Sequence, residues 1–254
     1  MERVSRRDLL KAAGITAGAA VAAPRQGSAA APSANQNEPQ PAPGSVASQA
    51  EDILFFFNSD EAKFIDAAVE RIIPADAKWG GAREAGVLYY LDRQLAGAYG
   101  AGAHMYLDGP WKVDAPPQQG YQLKHSPADL YHAAIHEVRD KVRSQYQNKE
   151  FWELDDKDMD KVLSALESGD LELKTIPSPV FFETLLANTI EGYFSDPVHG
   201  GNRNMVSWRM IGFPGAYAQF VGLVDQYNYD FTREPLSIAG LASQIPHDQT
   251  SMKD

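Results

Sequence analysis

The spacing of apolar residues restricts the fold of this chain more than any other feature of its sequence. In several segments Ile, Leu, Val and Ala recur every three or four residues, as the buried face of an α-helix requires. No segment alternates apolar and polar residues over the length of a half-buried strand. The sequence therefore predicts a mainly α protein with a single helical domain and long irregular loops.

Local signals predict where the helices begin and end. Asn58 with Glu61 three residues later is typical of a capping box, and Pro74 ends the helix that follows. Ser126 with Pro127 after it predicts the start of another helix. Further helices are expected over about 82–99, over 155–168 with Gly169 at the end, and from Ser178-Pro179 onward. Residues 103–124 and the residues from 191 onward are expected to be irregular.

Composition excludes several classes of function. The chain has no cysteine, which excludes disulfides, thiolate zinc sites, cysteine-ligated iron–sulfur clusters and covalent c-type haem. Its formal net charge of -11 argues against nucleic-acid binding, because phosphates require clustered Lys and Arg. No G-x-G-x-x-G follows a predicted strand, so a dinucleotide fold is not indicated. We expect no cofactor in this chain, and any redox partner must bring its own.

The N-terminus predicts export by the twin-arginine route. The sequence S-R-R-D-L-L-K, with Arg6 and Arg7 at its centre, is close to the usual signal, and the apolar stretch after it is too short for a membrane anchor of roughly 20 residues. Residues 1–31 are expected to form the signal region, 32–50 a disordered linker, 51–235 the helical domain and 236–254 a polar tail. Two possible cleavage sites, near 23 and near 31, stay open. This route exports proteins that have already folded. The chain therefore either folds around a cofactor of its own or is exported in complex with a partner that holds a cofactor.

Two histidines invite a metal-binding interpretation. His132 and His136 lie four residues apart, so both project from one face of a helix, and Glu137 lies beside them. The zincin pattern places the glutamate directly after the first histidine, and no third ligand can be assigned here. A solvated or partner-facing pair is the better interpretation.

Three neighbouring residues resemble a hydrolase triad in type only. Ser195, Asp196 and His199 lie within one short segment. A triad needs its serine on a constrained turn and a separate oxyanion hole, which three neighbours in one loop do not usually provide. We expect no catalytic residue in this chain.

Residues 191–217, called the motif below, combine glycines, aromatic residues and charges. Their glycines permit close backbone approach, and Asp196, Arg203 and Arg209 are able to form buried hydrogen-bonded pairs. The motif is either packed on itself or part of a contact surface, and its aromatic residues suit both. The candidates for shaping the loop or contacting a partner are Asp196, Asn202, Arg203, Trp208, Arg209, Phe213 and Tyr217.

The motif resembles one protein family. It reads E-G-Y-F-S-D-P-x-x-G-G-N-R and ends in W-R-M-I-G-F-P-G-A, and a helix from Phe57 to Asp76 reads F-x-x-x-E-x-x-x-I-D-A-x-x-E-R-I-I-P-x-D. Together with the export signal, these strings resemble the gluconate 2-dehydrogenase subunit 3 family over nearly all of the mature chain.

The resemblance implies a function as part of a complex. Members accompany a large FAD-dependent subunit of the glucose–methanol–choline type, and a multihaem cytochrome c with haem c accepts the electrons in such complexes. The chain is then expected to be a non-catalytic, periplasmic accessory subunit that supports maturation of the flavoprotein and carries it through the twin-arginine translocase. A freestanding periplasmic enzyme or ligand-binding protein, or a transient export chaperone, is the alternative.

Overall fold

The described part of the chain consists of helices packed around one apolar core. The computed structural model describes residues 53–112, 115–216, 225–228 and 233–240, all within one unit, Ala47–Asp254. Over these residues there is no strand, only an isolated parallel bridge between Gly215 and Leu236. The prediction of a mainly α fold is confirmed. Arg6, Arg7, the signal region, the linker and Tyr217 lie outside the described residues.

Six α-helices and four short 3₁₀ turns can be described in these ranges. The helices are α1 Ser59–Ile72, α2 Val87–Ala96, α3 Pro127–Gln145, α4 Asp156–Ser168, α5 Ser178–Phe194 and α6 Val206–Ile211. The 3₁₀ turns are Pro117–Gln119, Phe151–Glu153, Pro197–His199 and Arg203–Met205. None of the helices in the described ranges is long and apolar enough to cross a bilayer.

The predicted caps of α1, α3 and α4 are confirmed. Asn58 accepts hydrogen bonds from the first turn of α1 while Glu61 accepts one from the Asn58 amide, as in a capping box. Ser126 forms the equivalent box at α3, and Gly169 ends α4 with a left-handed φ of 86°. Because these caps involve residues within a few positions of each other, the sequence alone specifies them.

Two predicted boundaries are wrong. α2 begins at Val87 and not near 82, because Gly86 before it has φ 73° and residues 82–86 form turns. The predicted start of α5 at Ser178 is confirmed, although this serine is buried and provides no side-chain cap. The second wrong boundary is the end of that helix. The same helix continues to Phe194, so the first residues of the motif are helical and not part of a loop.

Helix α1 lies at the centre of the domain and contacts α2, α3, α4 and α5. Its fully buried side chains Phe64, Ile65 and Val69 belong to the common core. Burial of large apolar side chains contributes about 1.5–3 kcal/mol each. The position of α1 therefore fixes α2 and α5, which hold the motif.

Candidate partner-binding surface

The motif begins in the last turn of α5 and then turns back against that helix. A Cβ atom on Gly201 would lie 2.2 Å from the carbonyl oxygen of Gly192, which is nearer than any side chain tolerates. Gly192 is itself packed on the ring of Tyr90 from α2, where a Cβ would come within 2.7 Å. Burial raises the pKa of Tyr90 to about 12. The two glycines are therefore required for α2, α5 and the motif to meet.

Asn202 holds the inside of the motif together. Its side chain is fully buried, and its amide nitrogen donates to the carbonyl oxygen of Ser195 at 2.9 Å. Its Oδ1 accepts from the amide and the hydroxyl of Ser207, at 3.0 and 2.8 Å. One side chain thus joins the end of α5 to the first turn of α6. Asn202 therefore shapes the loop.

Trp208 fastens α6 to α5. The indole is 6% exposed, and its Nε1 donates to the carbonyl oxygen of Phe194 at 2.9 Å. The ring of Phe213 meets the indole edge to face at a centroid distance of 5.1 Å, while 43% of Phe213 stays exposed. Trp208 lies inside the domain, and Phe213 lies over it at the surface.

The charged residues of the motif occupy different environments. Asp196 accepts hydrogen bonds from the amides of Val198 and Ile238. The guanidinium of Arg203 lies 4.1 Å from the ring centroid of Tyr89. The expectation of a buried pair is wrong for Arg209, which is exposed and lies 3.4 Å from Glu234 at the surface.

Exposed apolar side chains lie on the segments that surround this buried interior. They are Val198, Met210, Ile211, Phe213 and Ile238, called the motif patch below. They lie on three segments: the turn after α5, the end of α6 with the residues that follow it, and residues 233–240. Asp196 accepts the Ile238 amide, which joins the first segment to the third. Leu236 exchanges backbone hydrogen bonds with Pro214 and Ala216, which joins the third segment to the second. Phe, Met and Arg are enriched at the centres of protein interfaces. The motif is therefore self-packed on its inner side, and on its outer side it exposes these apolar residues beside polar ones such as His199 and Arg209.

Asp92 on α2 is an important residue that sequence reasoning missed. Its carboxylate is fully buried and accepts the backbone amides of Phe55, Phe56 and Phe57 at 2.7, 3.0 and 2.9 Å. Residues 53–57, called the N-terminal arm below, are thereby fixed to α2. The sequence does contain one signal for this role. Asp92 is a single aspartate next to Leu91, within the apolar stripe of a predicted helix.

The two histidines of α3 do not converge on a metal site. His132 contacts Glu61 through Nδ1 at 2.7 Å and stacks on Phe56, whereas His136 points into solvent near Asp140. Glu137 accepts the amides of Lys174 and Thr175. Within the described ranges, no three potential ligands from His, Cys, Asp and Glu lie together.

The triad-like residues also have other partners. The hydroxyl of Ser195 donates to the carbonyl oxygen of Gly192 at 3.0 Å, and Asp196 accepts the two backbone amides described above. His199 is exposed at the end of a 3₁₀ turn. These contacts give Ser195 and Asp196 structural roles at the end of α5.

The fold and the surface define a class of protein, namely a helical domain whose distinctive segment packs against two helices and exposes apolar side chains. Comparison with known families then identifies the group. The chain belongs to the gluconate 2-dehydrogenase subunit 3 family, whose model matches residues 59–215. Members of this family are subunits of a gluconate dehydrogenase complex, which implies partner subunits. No curated protein and no solved structure matches this chain.

Proposed function

We propose that this chain is the non-catalytic accessory subunit of a periplasmic, FAD-dependent gluconate or sugar dehydrogenase. It supports maturation of a large flavoprotein of the glucose–methanol–choline type and carries it through the twin-arginine translocase. FAD then belongs to that partner, and haem c to a cytochrome subunit where the complex includes one. The family match over residues 59–215 is the observation that carries this proposal.

The geometry of the motif supports a binding role. The buried contacts of Asn202 and Trp208 fix the backbone before any partner arrives, so binding does not have to order this segment. The motif is also poor in acidic residues, although the chain as a whole has a formal net charge of -11. We infer that the motif patch is the face that contacts the flavoprotein.

Purification from the native host tests the proposal. A C-terminal tag on this chain is expected to bring down a large polypeptide in fixed stoichiometry, with a flavin absorption spectrum and activity on a sugar or sugar acid with an artificial acceptor. A colourless chain recovered alone would count against a permanent subunit. Recovery of flavoprotein only from the cytoplasmic fraction would indicate a transient export chaperone.

Surface variants locate the contact. Ile211 is 57% exposed, so Ile211→Ser is expected to reduce the amount of flavoprotein recovered without lowering the unfolding midpoint. Tyr106→Ser, at an exposed aromatic residue outside the motif, is the control and should leave recovery unchanged. Trp208→Ala answers a different question, because this buried residue is expected to be needed for folding.

A further inference from the structure

Three consecutive phenylalanines in the N-terminal arm have three different environments. Phe57 is 5% exposed and belongs to the core, and Phe56 stacks on His132 at a centroid distance of 4.2 Å. Phe55 is 69% exposed. A large aromatic side chain is thus held in solvent directly beside two that are packed.

The backbone around Phe55 is fixed by a buried carboxylate. Asp92 accepts the amides of Phe55, Phe56 and Phe57 within 3.0 Å, and its carboxylate is fully buried. Phe55 is therefore preorganised, since little backbone entropy remains to be lost when its ring enters a pocket.

The arm and the motif are both held against α2. Asp92 holds the arm, and the next residue on α2, Arg93, lies against Gly200, where a Cβ would be 2.7 Å from the guanidinium. Gly200 ends the 3₁₀ turn that contains Val198 of the motif patch. The arm and the motif therefore approach adjacent positions of one helix, although they are far apart in sequence.

We propose that Phe55 is an aromatic anchor that inserts into the large flavoprotein subunit, and that Asp92 is the positioning residue that holds it for this contact. The inference rests on the proposed function. It adds a second site of contact with the flavoprotein, besides the motif patch. Fully desolvated aromatic anchors dominate the energetics of protein interfaces. The position lies before residue 59, where the family match begins.

Titration of the full chain with its purified flavoprotein tests the anchor. Phe55→Ala is expected to weaken binding by about tenfold or more with an unchanged unfolding midpoint. Tyr106→Ala removes an exposed aromatic side chain elsewhere and is expected to bind as the unmodified chain does. Asp92→Asn is expected to weaken binding as well, and combining it with Phe55→Ala should add little, because Asp92 acts through Phe55.

Each outcome decides one of the two proposals. If Phe55→Ala binds the flavoprotein as tightly as the unmodified chain does, the proposal that Phe55 is an anchor is wrong, while the proposed function stands. A change in self-association alone would assign Phe55 to a contact between two copies and overturn the inference. An unmodified chain that binds no flavoprotein overturns both proposals. If Asp92→Asn does not fold, Phe55→Ala decides alone.

Discussion

Asn202 is the residue on which the buried hydrogen bonds of the motif converge. Asn202→Ala leaves the Ser195 carbonyl and both Ser207 donors without this partner, and it places alanine at a φ of 46°. We expect the free energy of unfolding to fall by about 3 kcal/mol. Urea denaturation measures it.

A neighbouring asparagine provides the control for that variant. Asn204 has φ 57° but is exposed, so Asn204→Ala tests the backbone conformation alone. Its expected loss is about 1 kcal/mol. Equal losses in the two variants would mean that backbone conformation, and not the buried hydrogen bonds, explains the requirement for asparagine at 202.

Single residues differ in how far the sequence reveals their roles. Asn202 and Trp208 were identified as candidates because the motif is distinctive, but sequence alone left open whether they face inward. The burial of both side chains answers that question. Their burial depends on the end of α5, where Phe194 and Ser195 supply the acceptor carbonyls. Asp92 could not be predicted, because its partners lie 35 to 37 residues away along the chain.

At the scale of elements, an ion-pair network joins α1, α3 and the turn at Phe151–Glu153. Arg139 of α3 donates to Glu150 at 3.0 Å and to Asp60 of α1 at 2.8 Å, and Arg143 also contacts Glu150. The hydrogen bond from Arg139 is the main cause that lowers the pKa of Glu150 below its ordinary value. This carboxylate therefore stabilises the packing of α3 while it is ionised.

Glu150→Gln tests this network through its pH dependence. A lowered pKa in the folded state means that the stabilisation is fully present above the unfolded pKa of about 4.3 and is lost as pH falls through the lower, folded value. We expect a loss of about 1 kcal/mol at pH 7, allowing for solvent screening, and convergence with the unmodified chain in acid. Glu183→Gln, at an exposed position on α5, is the control. A difference that persists unchanged in acid would contradict the electrostatic explanation.

The contact between the motif and α5 requires a glycine at 201. Gly201→Ala would bring its Cβ to 2.2 Å from a backbone oxygen of α5, whereas Gly212→Ala meets no atom within 4 Å but has φ 71°. We expect Gly212→Ala to cost about 1 kcal/mol and Gly201→Ala clearly more. In a chain of this size each kcal/mol lowers the melting temperature by about 2–4 °C. Similar melting temperatures for both variants would show that the turn moves easily away from α5.

The elements show why part of the fold was predictable. The caps at Asn58 and Ser126 act over three residues, so the sequence reveals them directly. The extension of α5 to Phe194 and the formation of α6 rest on contacts among Asn202, Ser207 and Trp208, which form only after the motif has turned back. Local propensity does not contain that information, so the sequence alone predicts one long loop over the motif.

At the scale of the whole molecule, the twin-arginine signal is predicted to export two proteins. Replacing Arg6 and Arg7 together by Lys keeps both charges but removes the planar guanidinium groups, so this chain and its flavoprotein are expected to stay in the cytoplasm. Arg25→Lys, the same replacement outside the S-R-R-D-L-L-K sequence, should leave export unchanged. Fractionation of the periplasm, with dehydrogenase assay and immunoblot of both chains, gives the measurement. Full dehydrogenase activity in the periplasm of the double variant would show that the flavoprotein does not depend on this chain for export.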